Sequence, residues 1–142
     1  MAGLRRLGFA AEALELPLGP AERAVPTFLA VAGPDVVAAG ISFGGRVATL
    51  AAAEEPFAAV IAFSFPLRDQ AVRRTAHWPR VRCPALIVNG SRDSWSPLVE
   101  LAAVMPLLPD GRLVPLAGAG HELRPVLADA LNAAAAFLAE LR

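Results

Sequence analysis

Five short apolar runs recur along the chain: "AEALEL" at 11–16, "DVVAAGI" at 35–41, "AAVIAFSF" at 58–65, "ALIVNG" at 85–90 and "RLVPLAG" at 112–118. Each has the length of a strand, and most lack the alternation of a half-solvated one, as expected of strands buried on both faces. Segments with helical spacing lie between them. In the last, Leu127, Leu131, Ala134, Leu138 and Leu141 recur at steps of four and three, which predicts one apolar stripe on a C-terminal helix. Another, "SPLVELAAVMPLLPDG", offers Ser96 as N-cap and Pro97 at the first helical position; Pro106 should bend or end it early, and Pro109, Asp110 and Gly111 stop it. Strands alternating with helices predict an α/β fold: a mostly parallel sheet of about five strands with helices on both faces. With 56% hydrophobic and 18% charged residues, the chain can supply several fully buried elements. No repeat or linker divides it, so residues 1–142 read as a single domain.

Charge narrows the partners. Thirteen basic residues, all arginine, balance thirteen acidic ones, and no basic stripe emerges, so nucleic acid is not expected. The one cysteine, Cys83, forms no internal bridge and belongs to no metal-ligand spacing; neither a metal nor a cofactor is implied. The opening "MAGLRRLGFAAEALELPLG" mimics a signal peptide briefly, but Glu12 and Glu15 interrupt it and no long uncharged run follows. The expectation is a soluble, cytoplasmic protein with no membrane association. The stretch 68–84, which carries five arginines, reads as a partly helical, exposed crossover.

The most informative stretch is "VVAAGISFGG" at 36–45, a buried strand that runs into a glycine cluster around one serine. A serine on a sharp strand-to-helix turn needs small neighbours, because side chains at the flanking Gly40 and Gly44 would meet the adjoining strand or helix. The turn also puts Ser42 at a helix N-terminus, where free N–H groups favour a developing negative charge. An acid and a histidine follow in chain order, each beyond a predicted strand end. Asp93 lies in "LIVNGSRDSW", where its other reading is a turn aspartate. His121 lies in "AGAGHEL"; the only other histidine, His77, falls in the irregular crossover.

With these residues the sequence resembles the α/β-hydrolase superfamily. It looks most like dienelactone-hydrolase-related proteins with a serine elbow followed by Gly-Gly-Arg, on "GISFGGR", "RTAHWPRVRCPALIVNGSRD" and "GAGHEL". The resemblance implies a minimal α/β-hydrolase fold without a lid domain. It makes Ser42 the nucleophile, His121 the general base and acid, Asp93 the residue that orients it, and the Phe43 N–H an oxyanion donor. Dienelactone hydrolase itself has a cysteine nucleophile where this chain has serine; Cys83 precedes a strand and reads as a core residue. Relative to the family the chain looks N-terminally short, lacking the strand and glycine loop that carry the second oxyanion N–H. If "AEALEL" moves inward to pair with 35–41, the loop "PLGP" at 17–20 lies near that position, with Gly19 as the donor.

Phe43, Phe65, Leu67, Trp78, Trp95 and Leu98 fall on or after strand ends or in the crossover, where α/β sheets bind ligands. Phe65, Leu67, Trp78 and Trp95 are therefore candidate substrate-binding residues for an apolar acyl compound. Their other use is as core, with the tryptophans covering the crossover or a homo-oligomer contact. Arg46 reads as a helix residue that could also meet a substrate carboxylate. The function expected is a serine hydrolase acting on a small-molecule ester, thioester or related acyl substrate through an acyl-enzyme. The alternative is a catalytically weak or inactive protein of the same fold that serves in binding or assembly.

Overall fold

The computed structural model describes residues 2–141. Four parallel strands, β1 (Gly33–Ile41), β2 (Phe57–Phe63), β3 (Ala85–Gly90) and β4 (Gly111–Leu116), pair in chain order β1-β2-β3-β4. Helices α1 (Ala2–Arg6) and α2 (Ala21–Leu29) precede the sheet. Then α3 (Phe43–Ala52) joins β1 to β2, α4 (Ala71–Arg74) lies between β2 and β3, α5 (Leu98–Val104) lies between β3 and β4, and α6 (Leu127–Glu140) follows. The pleat sends alternate residues to two cores. Val60, Ala62, Ala85 and Ile87 pack under α2, α3 and α5, while Ala59, Ile61, Leu86 and Val88 meet Ala130, Ala134 and Phe137 of α6. No helix among the described residues is long and apolar enough to cross a membrane.

Four of the five expected strands form. Residues 11–16 make no strand and do not pair with β1, whose one ladder among the described residues is to β2. Their alternation is satisfied without a ladder, since Leu14 and Leu16 pack on the core while Glu12 and Glu15 stay exposed. The stripe on α6 is also displaced. Ala130, Ala134 and Phe137 are buried and Leu127 is exposed, because small alanines let the helix lie close to the sheet and Phe137 fills the gap. Helix α5 starts after Pro97 with no side-chain cap, and a 3-10 turn at Met105–Leu107 ends it around Pro106. The crossover is less exposed than expected: His77 and Trp78 are buried within it.

Candidate active site

Ser42 directly follows β1 and caps α3 in a left-handed conformation, φ 52° and ψ −115°, outside the regions open to most L-residues. The turn is held from both sides: the Ser42 N–H donates to the Phe63 carbonyl at 2.7 Å, and the Arg46 N–H donates to the Ser42 carbonyl at 3.1 Å. A Cβ on Gly40 would lie 2.2 Å from the Gly44 carbonyl carbon, so only glycine fits where strand and helix meet. The second crowded position is not Gly44, where a Cβ would meet nothing within 4 Å. It is Gly45, whose Cβ would come within 3.0 Å of Ala62 Cβ, because that side of the first turn packs on β2. Phe43 opens the helix, so its N–H has no acceptor within α3.

The other two predicted residues come to the same end of the sheet. His121 Nε2 lies 2.9 Å from Ser42 Oγ, and His121 Nδ1 lies 2.8 Å from Asp93 Oδ2. A carboxylate only accepts, so Nδ1 donates to Asp93; in the neutral ring Nε2 then accepts from the Ser42 hydroxyl. The Asp93 side chain is fully buried, and its other oxygen, Oδ1, accepts the Trp95 N–H at 2.9 Å. Asn89 Nδ2 donates to Asp93 Oδ2 at 3.3 Å. Acid and base loops meet at Gly90, where a Cβ would lie 2.3 Å from the Ala119 carbonyl oxygen. The Arg92 N–H closes the seam, donating to that oxygen at 2.8 Å.

The segment after β2 braces all three loops. Phe63 holds Ser42 by its carbonyl, and the buried Ser64, at φ 55°, donates its hydroxyl to the His121 carbonyl at 2.7 Å. Ser96, expected as an N-cap, instead donates to the Phe65 carbonyl and accepts the Leu67 N–H at 2.8 Å, which ties the acid loop to the same segment. Ser64 and Asn89 were not singled out from sequence, and Ser96 was read only as a helix cap. A polar residue ending an apolar run, as in "AFSF" and "IVNG", was the available signal.

Of the candidate substrate-binding residues, only Trp95 reaches the site: its ring is 38% exposed and stacks on His121 with centroids 4.0 Å apart, tilted by 34°. Phe65, Leu67 and Trp78 are corrected to core residues. All three are fully buried, with Phe65 and Trp78 packed edge to face at 5.0 Å, and they offer no surface to a ligand. Phe43 and Leu98 are half-buried against the same core. Gly19, at φ 112°, lies in an exposed turn before α2, with no hydrogen bond to Ser42 among the described residues. Cys83 is half-buried, and burial pushes its thiol pKa up. Two shallow concavities, of about 570 and 260 Å³, are not lined by Ser42, Asp93 or His121.

Residues 16–139 match the family model of the alpha/beta hydrolase domain. The chain belongs to the α/β-hydrolase family. Solved structures similar to this α/β hydrolase include an alpha-beta serine hydrolase homologue from Coxiella burnetii, at 20% identity and a TM-score of 0.74 over 92% of this chain and 70% of that one. Est1E from Butyrivibrio proteoclasticus, solved with ferulic acid bound, is 20% identical with a TM-score of 0.74 over 87% and 69%. Esterase PE8 is 27% identical with a TM-score of 0.67 over 91% and 69%. Among curated protein sequences none matches this α/β hydrolase.

Proposed function

We propose that this α/β hydrolase is a serine hydrolase that cleaves a small-molecule ester, thioester or related acyl compound. The observation that carries the reading is the hydrogen-bonded chain from Ser42 Oγ through His121 to the buried Asp93. Ser42 Oγ attacks the acyl carbon while His121 Nε2 takes its proton; the bond to the leaving group breaks and the leaving oxygen or sulfur receives that proton. Water, deprotonated by His121, then releases the acid and restores Ser42. Asp93 fixes the ring orientation and stabilises the imidazolium. The Phe43 N–H binds the oxyanion; one such donor is worth roughly 10²–10³ in rate. Gly19 is not proposed as a second donor, because residues 11–16 do not pair with β1 and a Cβ on Gly19 would meet Arg23 first. Esterases among the structural neighbours and the G-I-S-F-G-G-R likeness to dienelactone-hydrolase-related proteins support the reading.

A fluorophosphonate probe with mass spectrometry tests it. The expected result is an adduct on Ser42 that disappears in Ser42→Ala and His121→Ala. A folded protein that never labels would sink the enzyme reading and leave a binding or assembly role on this fold.

A further inference from the structure

Arg68 occupies a position that the serine, histidine and aspartate chemistry does not use. Its guanidinium carbon sits 4.1 Å from the centre of the Trp95 ring, and that ring stacks in turn on His121. Guanidinium, indole and imidazole thus form one pile, with a single ring between the cation and the candidate base. The backbone holds Arg68 there: its N–H donates to the Trp95 carbonyl at 2.7 Å, and the Gln70 N–H donates to the Leu67 carbonyl at 2.9 Å. Arg68 and Asp69 take φ values of 47° and 59°. Two successive non-glycine residues in the left-handed region are costly, and such conformations persist only where surrounding contacts over-determine them.

Among the described residues the cation held in this way is paired with no carboxylate, and the Arg68 side chain makes no hydrogen bond. Its neighbours add positive charge. Arg74 donates from Nη1 to the Pro66 carbonyl at 2.8 Å and has a buried Nε without a partner; its pKa is lowered first by burial, then by Arg68 and Arg73. Arg46, in the first turn of α3, likewise has a buried, unpartnered Nε and is lowered by burial and then by Arg74, with Glu22 acting in the opposite sense. The other nearby carboxylates, Asp69 and Glu100, line the shallow concavity next door together with Arg73.

We infer that Arg68 binds a carboxylate carried by the substrate, so that the preferred substrates of this site are short esters bearing a free carboxylate. The inference rests on the hydrolase reading of Ser42. The Arg68 guanidinium lies over the indole and makes no side-chain hydrogen bond among the described residues, so its N–H groups are free to match the two oxygens of a carboxylate. The contact with the ring restrains the guanidinium in a way that a mobile surface arginine lacks. A bound carboxylate would also offset the repulsion between Arg68 and Arg74.

The test compares kcat/KM for 4-nitrophenyl butyrate with that for the mono-4-nitrophenyl ester of glutaric acid, which adds a carboxylate to the far end of a similar acyl chain. The expected wild-type ratio favours the glutarate ester by about tenfold or more, the range of a charge-assisted hydrogen bond. In Arg68→Gln the ratio falls towards one, with the change mainly in KM; Arg68→Lys lies between. Arg82→Gln, an exposed arginine elsewhere, keeps the wild-type ratio. A wild-type ratio near one, or the same ratio in Arg68→Gln, overturns the inference while the hydrolase reading stands. If neither ester turns over, free glutarate should slow fluorophosphonate labelling of Ser42 in the wild type and not in Arg68→Gln; equal labelling overturns the inference. A protein that neither labels nor turns over defeats the hydrolase reading, and this inference with it.

Discussion

Ser64 shows how much of the site's geometry is set by a residue that takes no part in the chemistry. It is fully buried, left-handed, and bonded to the main chain of His121, while its neighbour Phe63 is bonded to the main chain of Ser42. The spacing between Ser42 and His121 is therefore fixed through adjacent residues of one strand end. Ser64→Ala should leave the His121 carbonyl unpaired, at about 1–3 kcal/mol of stability measured by denaturant unfolding, and should slow labelling of Ser42. Ser64→Gly loses the same bond but relaxes the left-handed backbone, so it should unfold later than the alanine variant while labelling as slowly. Labelling that followed stability instead would make Ser64 a packing residue only. The site was partly legible at this scale. Ser42, Asp93 and His121 were readable because the turn and the chain order restrict residue type, and Gly40 because strand and helix must touch there. Gly45 and Ser64 were not, since their constraint comes from β2 and the loop after β4, distant in sequence.

At the scale of elements, strands buried on both faces could be read directly from uninterrupted apolar runs. The segment 11–16 has the same look, but a pattern of alternation does not reveal whether a neighbour's hydrogen-bonding edge is within reach. Ser96 before Pro97 reads as a helix cap until the Phe65 carbonyl and Leu67 amide claim its hydroxyl. The crossover between β2 and β3 holds the other surprise, since His77 is buried there with Nε2 2.8 Å from Thr49 Oγ1 of α3. Burial, with Arg80 and Arg46 nearby and Glu22 opposing them weakly, pushes the His77 pKa down to about 4. Between that value and the ordinary histidine pKa near 6.5, the unfolded chain binds the proton more readily than the folded one, so stability falls as pH falls through this window. The contribution of neutral His77 should be complete above pH about 6.5 and reduced by roughly 3 kcal/mol near pH 4. Urea midpoints between pH 7 and pH 4 check this. In His77→Gln the part of the slope due to His77 should vanish, and an unchanged slope would assign the acid sensitivity to other groups.

The whole molecule carries no net formal charge, with a pI near 6.7, and β1 is an edge strand that ends in an exposed Ile41. Near-zero charge removes the long-range repulsion that keeps molecules apart, and an open strand edge offers a place for them to join. With no lysine or tyrosine, the chain changes its net charge by only about one unit between pH 6.7 and pH 8.5, so light scattering at fixed protein concentration should stay nearly flat over that range and fall only on acidification, where the carboxylates take up protons. Scattering that stays flat down to about pH 4 would mean that charge does not limit self-association. Acidification raises charge at the cost of weakening the bond that secures the crossover.

Because the strands are laid side by side in chain order, the site is also assembled in the order of synthesis. The candidate nucleophile leaves the ribosome with β1, its brace with β2 and the candidate acid after β3, and the candidate base His121 arrives after β4, 79 residues behind the serine. A nascent chain can therefore form most of its sheet before His121 is there to meet Ser42. On the proposed hydrolase reading, an activated serine would appear only after β4 has joined the sheet.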